Sequence, residues 1–281
     1  MALHHGDVEA ITVVAGNVPL DQAVQNALYT VELAGSDVPV YAGLSGAAEH
    51  TAQHVHGLDG MGDIGLPVHG RTPADGDAVD VLVDRIRQGG RTLVTLGPLT
   101  NVAAAFERAP DAAAKLDRLV MMGGTSDAVG NVSPVAEFNI WADPESAAVV
   151  FRSGAPITMV GWDISRKYAV FPPEDAAELH ALGPLGAFSV DIQRTLIEFT
   201  RKETQLEGYD LPDPIAMAVA LDPSVATDVR RVHVEVETGG DFTRGQTVID
   251  HRNTFGEPNA DVVFEASRER FVALLRDALR G

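Results

Sequence analysis

Apolar positions follow two rhythms along this chain. Glu9-Ala10-Ile11-Thr12-Val13-Val14 is a compact, β-branched run that reads as a buried strand ending at Ala15-Gly16-Asn17. Asp21 to Leu33 then spaces Ala23, Val24, Ala27, Leu28 and Val31 as one face of a helix. The alternation continues. A strand is predicted over Val38–Tyr41, a helix over Asp77–Gln88, a strand over Thr92–Leu96 and a helix from Gly97-Pro98-Leu99-Thr100-Asn101 through Phe106. Strands follow at Leu119–Met122 and Pro156–Trp162, with a helix over Asp143–Ser153 whose Pro144 suits the first turn. Between them, Gly43 to Thr72 reads as loop and carries His50, His54, His56 and His69. Later helices are predicted over Pro173–Leu182, about Gly186–Glu207, Asp213–Leu221 and Glu265–Arg280. The stretch from Arg230 to Val263 reads as a hairpin or edge strands.

Strands that alternate with helices predict an α/β fold with a doubly wound, mainly parallel sheet. No repeat, low-complexity stretch or linker divides residues 1–281, so a single domain is expected. In such a sheet the carboxyl ends of the strands share one edge, where ligands bind. That edge is where the polar segments fall: Gly16-Asn17, Gly97-Pro98, Gly123-Gly124 and Asp163. The densest is Met121 to Ala147, with Asn131, Glu137 and Asn139 able to present amide and carboxylate groups to a small polyol. Each residue also has a plainer reading. Asn17 could cap a turn, His54 and His56 could be solvated loop residues, and Asp163 could anchor a loop. Asp213 between two prolines could be a helix N-cap, and Glu137 and Asn139 could lie on a half-exposed strand.

Composition narrows the partners. The net charge of −19, with three lysines in 281 residues, argues against a nucleic-acid partner. It is compatible with a divalent cation, although simple solubility or a bias of the source organism is the better reading. No apolar run is long enough for a membrane span, and the first residues lack the pattern of a signal peptide, so no membrane partner and a cytoplasmic location are expected. The absence of cysteine excludes disulfides and thiolate chemistry. No G-x-G-x-x-G follows a strand, which disfavours a dinucleotide enzyme.

Several runs together resemble one family. ITVVAGN at 11–17, HGLDG at 56–60, LGPLTN at 96–101, MGG at 122–124, GNVSPVAEFNIWADPESA at 130–147, DP at 213–214 and TRGQTVID at 243–250 match, in order and spacing, the inosine–uridine preferring nucleoside hydrolases. The resemblance implies a nucleoside N-ribohydrolase that splits the N-glycosidic bond of purine or pyrimidine nucleosides into ribose and free base. It also implies a calcium ion that holds the ribose diol and the attacking water, and a homodimer or homotetramer. By position, Asp213 matches a calcium carboxylate and Leu96 a backbone-carbonyl calcium ligand. Asn131, Glu137 and Asn139 match ribose-hydroxyl ligands, Asn17 an active-site asparagine, and His56 lies near the loop that approaches the base. Tyr209, in the 203–211 segment, falls where a mobile loop could cover the base. Trp141 and Trp162 read as core.

Two departures stand out. The family's D-x-D-P-G-x-D-D cluster, which includes the general base, is not found here, and Met1 to Glu9 resemble the exit of the helix that follows it. The catalytic aspartate is therefore expected upstream of Met1, along with a first strand between Ile11–Val14 and Thr92–Leu96. Those two strands are expected either to face a gap or to collapse together, and the chain as written is expected to be impaired. Pro212 stands where purine-cleaving relatives have a proton-donating histidine. The competing expectation is a relative that binds a nucleoside or ribose without turnover.

Overall fold

The computed structural model describes residues 1–46, 50–203 and 207–281. Numbered along the chain, the strands are β1 (Ile11–Val13), β2 (Val40–Ala42), β3 (Thr92–Thr95), β4 (Arg118–Met122), β5 (Ile157–Val160), β6 (Val170–Phe171), β7 (Tyr209–Asp210), β8 (Ala226–Val236), β9 (Thr247–Asp250) and β10 (Ala260–Ala266). The main sheet has the order β3-β4-β5-β10-β8-β9. Its first four members are parallel, while β8 and β9 are antiparallel additions. β4 and β5 are apolar almost throughout because both faces are covered, the usual condition of parallel strands. Leu119, Met121, Ile157 and Met159 point into one core with the Ala78–Arg87, Thr100–Arg108 and Pro144–Arg152 helices. Val120, Met122 and Val160 point the other way, onto the Pro212–Leu221 and Arg268–Arg280 helices.

The α/β reading therefore holds, with corrections at several elements. The region after Arg230 is no mere edge: β10 lies inside the sheet, between β5 and β8. Strand β5 stops at Val160, and Trp162 begins a helix, Trp162–Tyr168, absent from the expected pattern. The helix expected near Gly186–Glu207 is two, Pro184–Asp191 and Arg194–Glu203. Within the expected loop, Gln53–His56 form one short helical turn, and residues 47–49 lie outside the described residues. In the segment expected to cover the base, residues 204–206 also lie outside them. Tyr209 itself is buried in β7, stacked with Phe171.

Strands β1 and β2 form a separate parallel pair, so β1 and β3 are unpaired with each other. Buried Asn101 links the two sheets near their carboxyl ends. Its Nδ2 donates to Val13 O at 3.0 Å, and its Oδ1 accepts from Leu44 N at 2.9 Å. The contact is tight: a Cβ placed on Gly43 would lie 2.4 Å from Asn101 Nδ2.

Candidate functional site

The segment after β4 is shaped by its glycines. Gly124 has φ +70, and an added Cβ would stand 2.5 Å from Thr247 Cγ2, so glycine is required there. This turn aims the Gly124 N–H at Glu137 Oε2, 2.9 Å away. Glu137 Oε1 accepts from Asn139 N at 3.0 Å and caps the Phe138–Ala142 helix. Glu137 and Asn139 are therefore buried at a helix start, not displayed on a half-exposed strand. Asn139 Nδ2 donates to Met122 O at 3.2 Å, and exposed Asn131 accepts from Phe138 N through its Oδ1 at 2.9 Å. One amide atom of each asparagine is thus spent on the backbone, while Asn131 Nδ2 donates no bond to the described residues and Asn139 Oδ1 accepts none from them.

Asp213 arrives from the opposite face. Arg118, at the start of β4, donates to Val219 O at 3.3 Å and to Ala220 O at 2.5 Å. The far end of the Pro212–Leu221 helix is thereby pinned at the amino edge, and its first turn is sent toward the carboxyl edge. Leu211, not Asp213, occupies the N-cap, so the expected capping role is not what Asp213 performs. Burial pushes the half-buried Asp213 carboxyl up to about 7, and the charges of Glu137 and Asp210 push the same way. Glu137 is likewise pushed up to about 7 by burial, against the pull of its N–H donors. Asp213 thus lies within reach of the charges of two other acids.

The sequence reading did not single out Asp210. It is buried, and its Oδ2 accepts from Trp162 Nε1 at 2.9 Å and from the Ser165 hydroxyl. Its only sequence signal was a second acid three residues before Asp213. Asp163 proves to be a loop anchor: fully buried, it accepts from Ser126 N and Ser126 Oγ, each at 2.8 Å.

The other wall is formed by the ends of β1 and β3. Asn17 is exposed, and its carbonyl accepts from Ala52 N at 3.0 Å, which starts the turn leading to His56. Burial pushes His56 down to about 4, aided by the charge of His54, so its imidazole is neutral at physiological pH. Leu96 leaves β3 beside this wall, and a Cβ on neighbouring Gly16 would stand 3.2 Å from Pro98 Cδ. Asn131, Glu137, Asn139 and Asp213 are thus gathered on one side, and Asn17, His56 and Leu96 on the other. Trp141 is half-buried in a satellite cluster with Phe138 and Ala52.

Carboxylate oxygens such as those of Asp213 and Glu137 are the kind of donor a hard cation takes. Among the described residues, however, Asp213 is not part of any cluster of three metal-ligating side chains. Among the described residues, too, no helix is long and apolar enough to cross a membrane.

Known proteins agree with this architecture. The inosine-uridine preferring nucleoside hydrolase family model matches residues 1–273. A pyrimidine-specific ribonucleoside hydrolase of Escherichia coli is 36% identical over 283 residues, covering 98% of this chain and 90% of the relative. An uncharacterised protein of Schizosaccharomyces pombe is 38% identical over 251 residues, covering 85% of this chain and 79% of the relative. The structure of a plant nucleoside hydrolase superposes with a TM-score of 0.91 at 32% identity, covering 100% of this chain and 93% of the other. A purine-preferring ribonucleoside hydrolase from Gardnerella vaginalis gives 0.89 at 32% identity, covering 99% and 91%. The chain belongs to the inosine-uridine preferring nucleoside hydrolase family, whose members are hydrolases acting on N-glycosyl compounds.

Proposed function

We propose that the chain is a nucleoside N-ribohydrolase, cleaving a purine or pyrimidine nucleoside to ribose and free base with a calcium ion at Asp213 and the Leu96 carbonyl. The observation that carries this is the buried acid group at the sheet edge. Burial raises the proton affinity of both Glu137 and Asp213, and the Glu137 charge adds to the rise at Asp213, as acids do where a cation or a polyhydroxylated substrate is needed to offset them. Calcium there would supply positive charge that holds hydroxyl oxygens and acidifies water. Glu137, rigidly held by two N–H donors, accepts from a ribose hydroxyl. Asn131 offers an amide donor and Asn139 an acceptor that are unbonded among the described residues, and together they fix the sugar. Carboxylates set around the ring favour the positive charge that develops as the glycosidic bond breaks. Asn17 and His56 supply the opposite wall; His56, being neutral, binds rather than donates a proton from a charged ring.

Pro212 has no proton to give, so the leaving base must be activated without a side chain at that position. The relatives named above include pyrimidine-specific and purine-preferring enzymes, so both nucleoside classes belong in the assay. Ribose release from inosine, uridine, cytidine and adenosine, with calcium and with chelator, tests the reading. Calcium-dependent release of ribose from any of them supports it.

A second reading, binding of a nucleoside or ribose without turnover, is favoured by the lack of a three-ligand cluster at Asp213 among the described residues. Saturable binding with no ribose released would select it. A cytoplasmic homodimer or homotetramer accompanies the first reading, and light scattering tests the assembly.

A further inference from the structure

We propose that His4, His5 and Asp277 form a site for one divalent transition-metal ion of the zinc type, on the edge of the sheet opposite the nucleoside site. His4 and His5 end the Ala2–His5 helix, and Asp277 lies in the last turns of Arg268–Arg280. His4 Nε2 is 3.5 Å and His5 Nε2 is 3.9 Å from the same Asp277 Oδ2. The two rings meet edge to face at 4.6 Å and 89°, so their nitrogens approach one carboxylate from perpendicular planes. A fourth donor is present: Leu274 O, one helical turn before Asp277, lies 3.1 Å from His5 Nε2.

Two imidazole nitrogens and two oxygens form the donor set of a tetrahedral zinc-type site, where ligands at about 2.0–2.1 Å from the ion stand roughly 3.3 Å apart. The observed 3.5 and 3.9 Å separations need only small side-chain rotations to close. Imidazole selects zinc, copper or nickel, whereas calcium prefers six to eight oxygens. In the metal-free protein, His5 Nε2 donates to Leu274 O. When the ion binds, that proton moves to Nδ1 and the nitrogen lone pair turns to the metal. The carboxyl-terminal turn of the long helix adds partial negative charge. Asp277 and His4 are 62% and 36% exposed, so an ion can enter.

The topology fixes the location. β10 runs parallel to β5, so the helix after it starts at the carboxyl edge and returns to the amino edge, bringing Asp277 there. His5 precedes the start of β1 at that same edge. An ion would clip the segment leading into the β1–β2 pair to the helix that follows β10.

The test uses the full chain, stripped with chelator and titrated with zinc chloride, reading metal uptake by equilibrium dialysis and Tm by calorimetry. One bound equivalent is expected, with a Tm rise on the order of 5 °C at hundredfold excess over Kd. His4→Ala and Asp277→Ala, both on exposed side chains, should each weaken zinc uptake tenfold or more while leaving the response to calcium intact. Asp213→Asn should leave zinc uptake unchanged. The proposal is overturned if the parent protein takes up no equivalent, or if the His4→Ala/Asp277→Ala double variant still does.

Discussion

Glu137 and Asp213 each hold a proton more tightly in the folded chain, at about 7, than their ordinary values of 4.5 and 3.8 allow. Their contribution to stability is fully present below those ordinary values and is lost as pH rises toward about 7. His56 has the opposite sign: at about 4 against 6.5, its contribution is present above 6.5 and is lost as pH falls through about 4. Between pH 4.5 and 6.5 two raised carboxylates outnumber one lowered imidazole. The Tm of chelator-treated protein should therefore fall as pH rises across that window, and Glu137→Gln should flatten the slope. A Tm that climbs through the window would contradict this account of the site. Glu137 also bears on turnover: Glu137→Gln should lower kcat on the order of 10²-fold, because a fixed group facing developing charge is lost. Steady-state kinetics on the best nucleoside checks it.

At the scale of elements, single side chains hold segments that strand and helix patterns leave unattached. Asn101, on the helix after β3, ties Val13 of β1 and Leu44, two residues past β2, to the main sheet. Asn101→Ala should cost about 1–3 kcal/mol, because Leu44 N–H loses its acceptor and Val13 O one of its donors. Urea denaturation measures this, and a change within error would mean the link is idle. The Gly124 turn is less forgiving, since an added Cβ meets Thr247 at 2.5 Å and φ is +70. Gly124→Ala should destabilise the chain and misplace Glu137 together, so activity should fall more than stability alone explains. Helices with a clear apolar stripe and a cap, such as Ala78–Arg87 behind Asp77, were legible to within a residue or so. The Trp162–Tyr168 helix was not, because its first residues are buried by their polar partners: Asp163 by Ser126, and Ser165 by Asp210.

The whole molecule carries a charge of −19, and acids feel one another's charge at the candidate site. Self-repulsion of this size is screened by salt, with a Debye length of about 8 Å at 0.15 M. Raising sodium chloride from low to physiological concentration should raise the Tm. Calcium should add a further rise that Asp213→Asn removes, since a ligand bound only by the folded state stabilises it by mass action. Calorimetry across both titrations separates the general screening from the specific site.

The sequence by itself determined the α/β class and the family, and it pointed to the Asn131–Asn139 run. These are written in local spacing, in apolar period and in a motif whose amides and acid lie within nine residues. It could not reveal that Glu137 caps a helix, that Asp210 stands behind Asp213, or that β10 lies inside the sheet. Nor could it reveal that His4 and His5 meet Asp277 near the other end of the chain. Those facts depend on which distant segments pack together. Burial and the charges of non-local neighbours, which set proton affinities and ligand geometry, exist only once the sheet has brought the segments side by side.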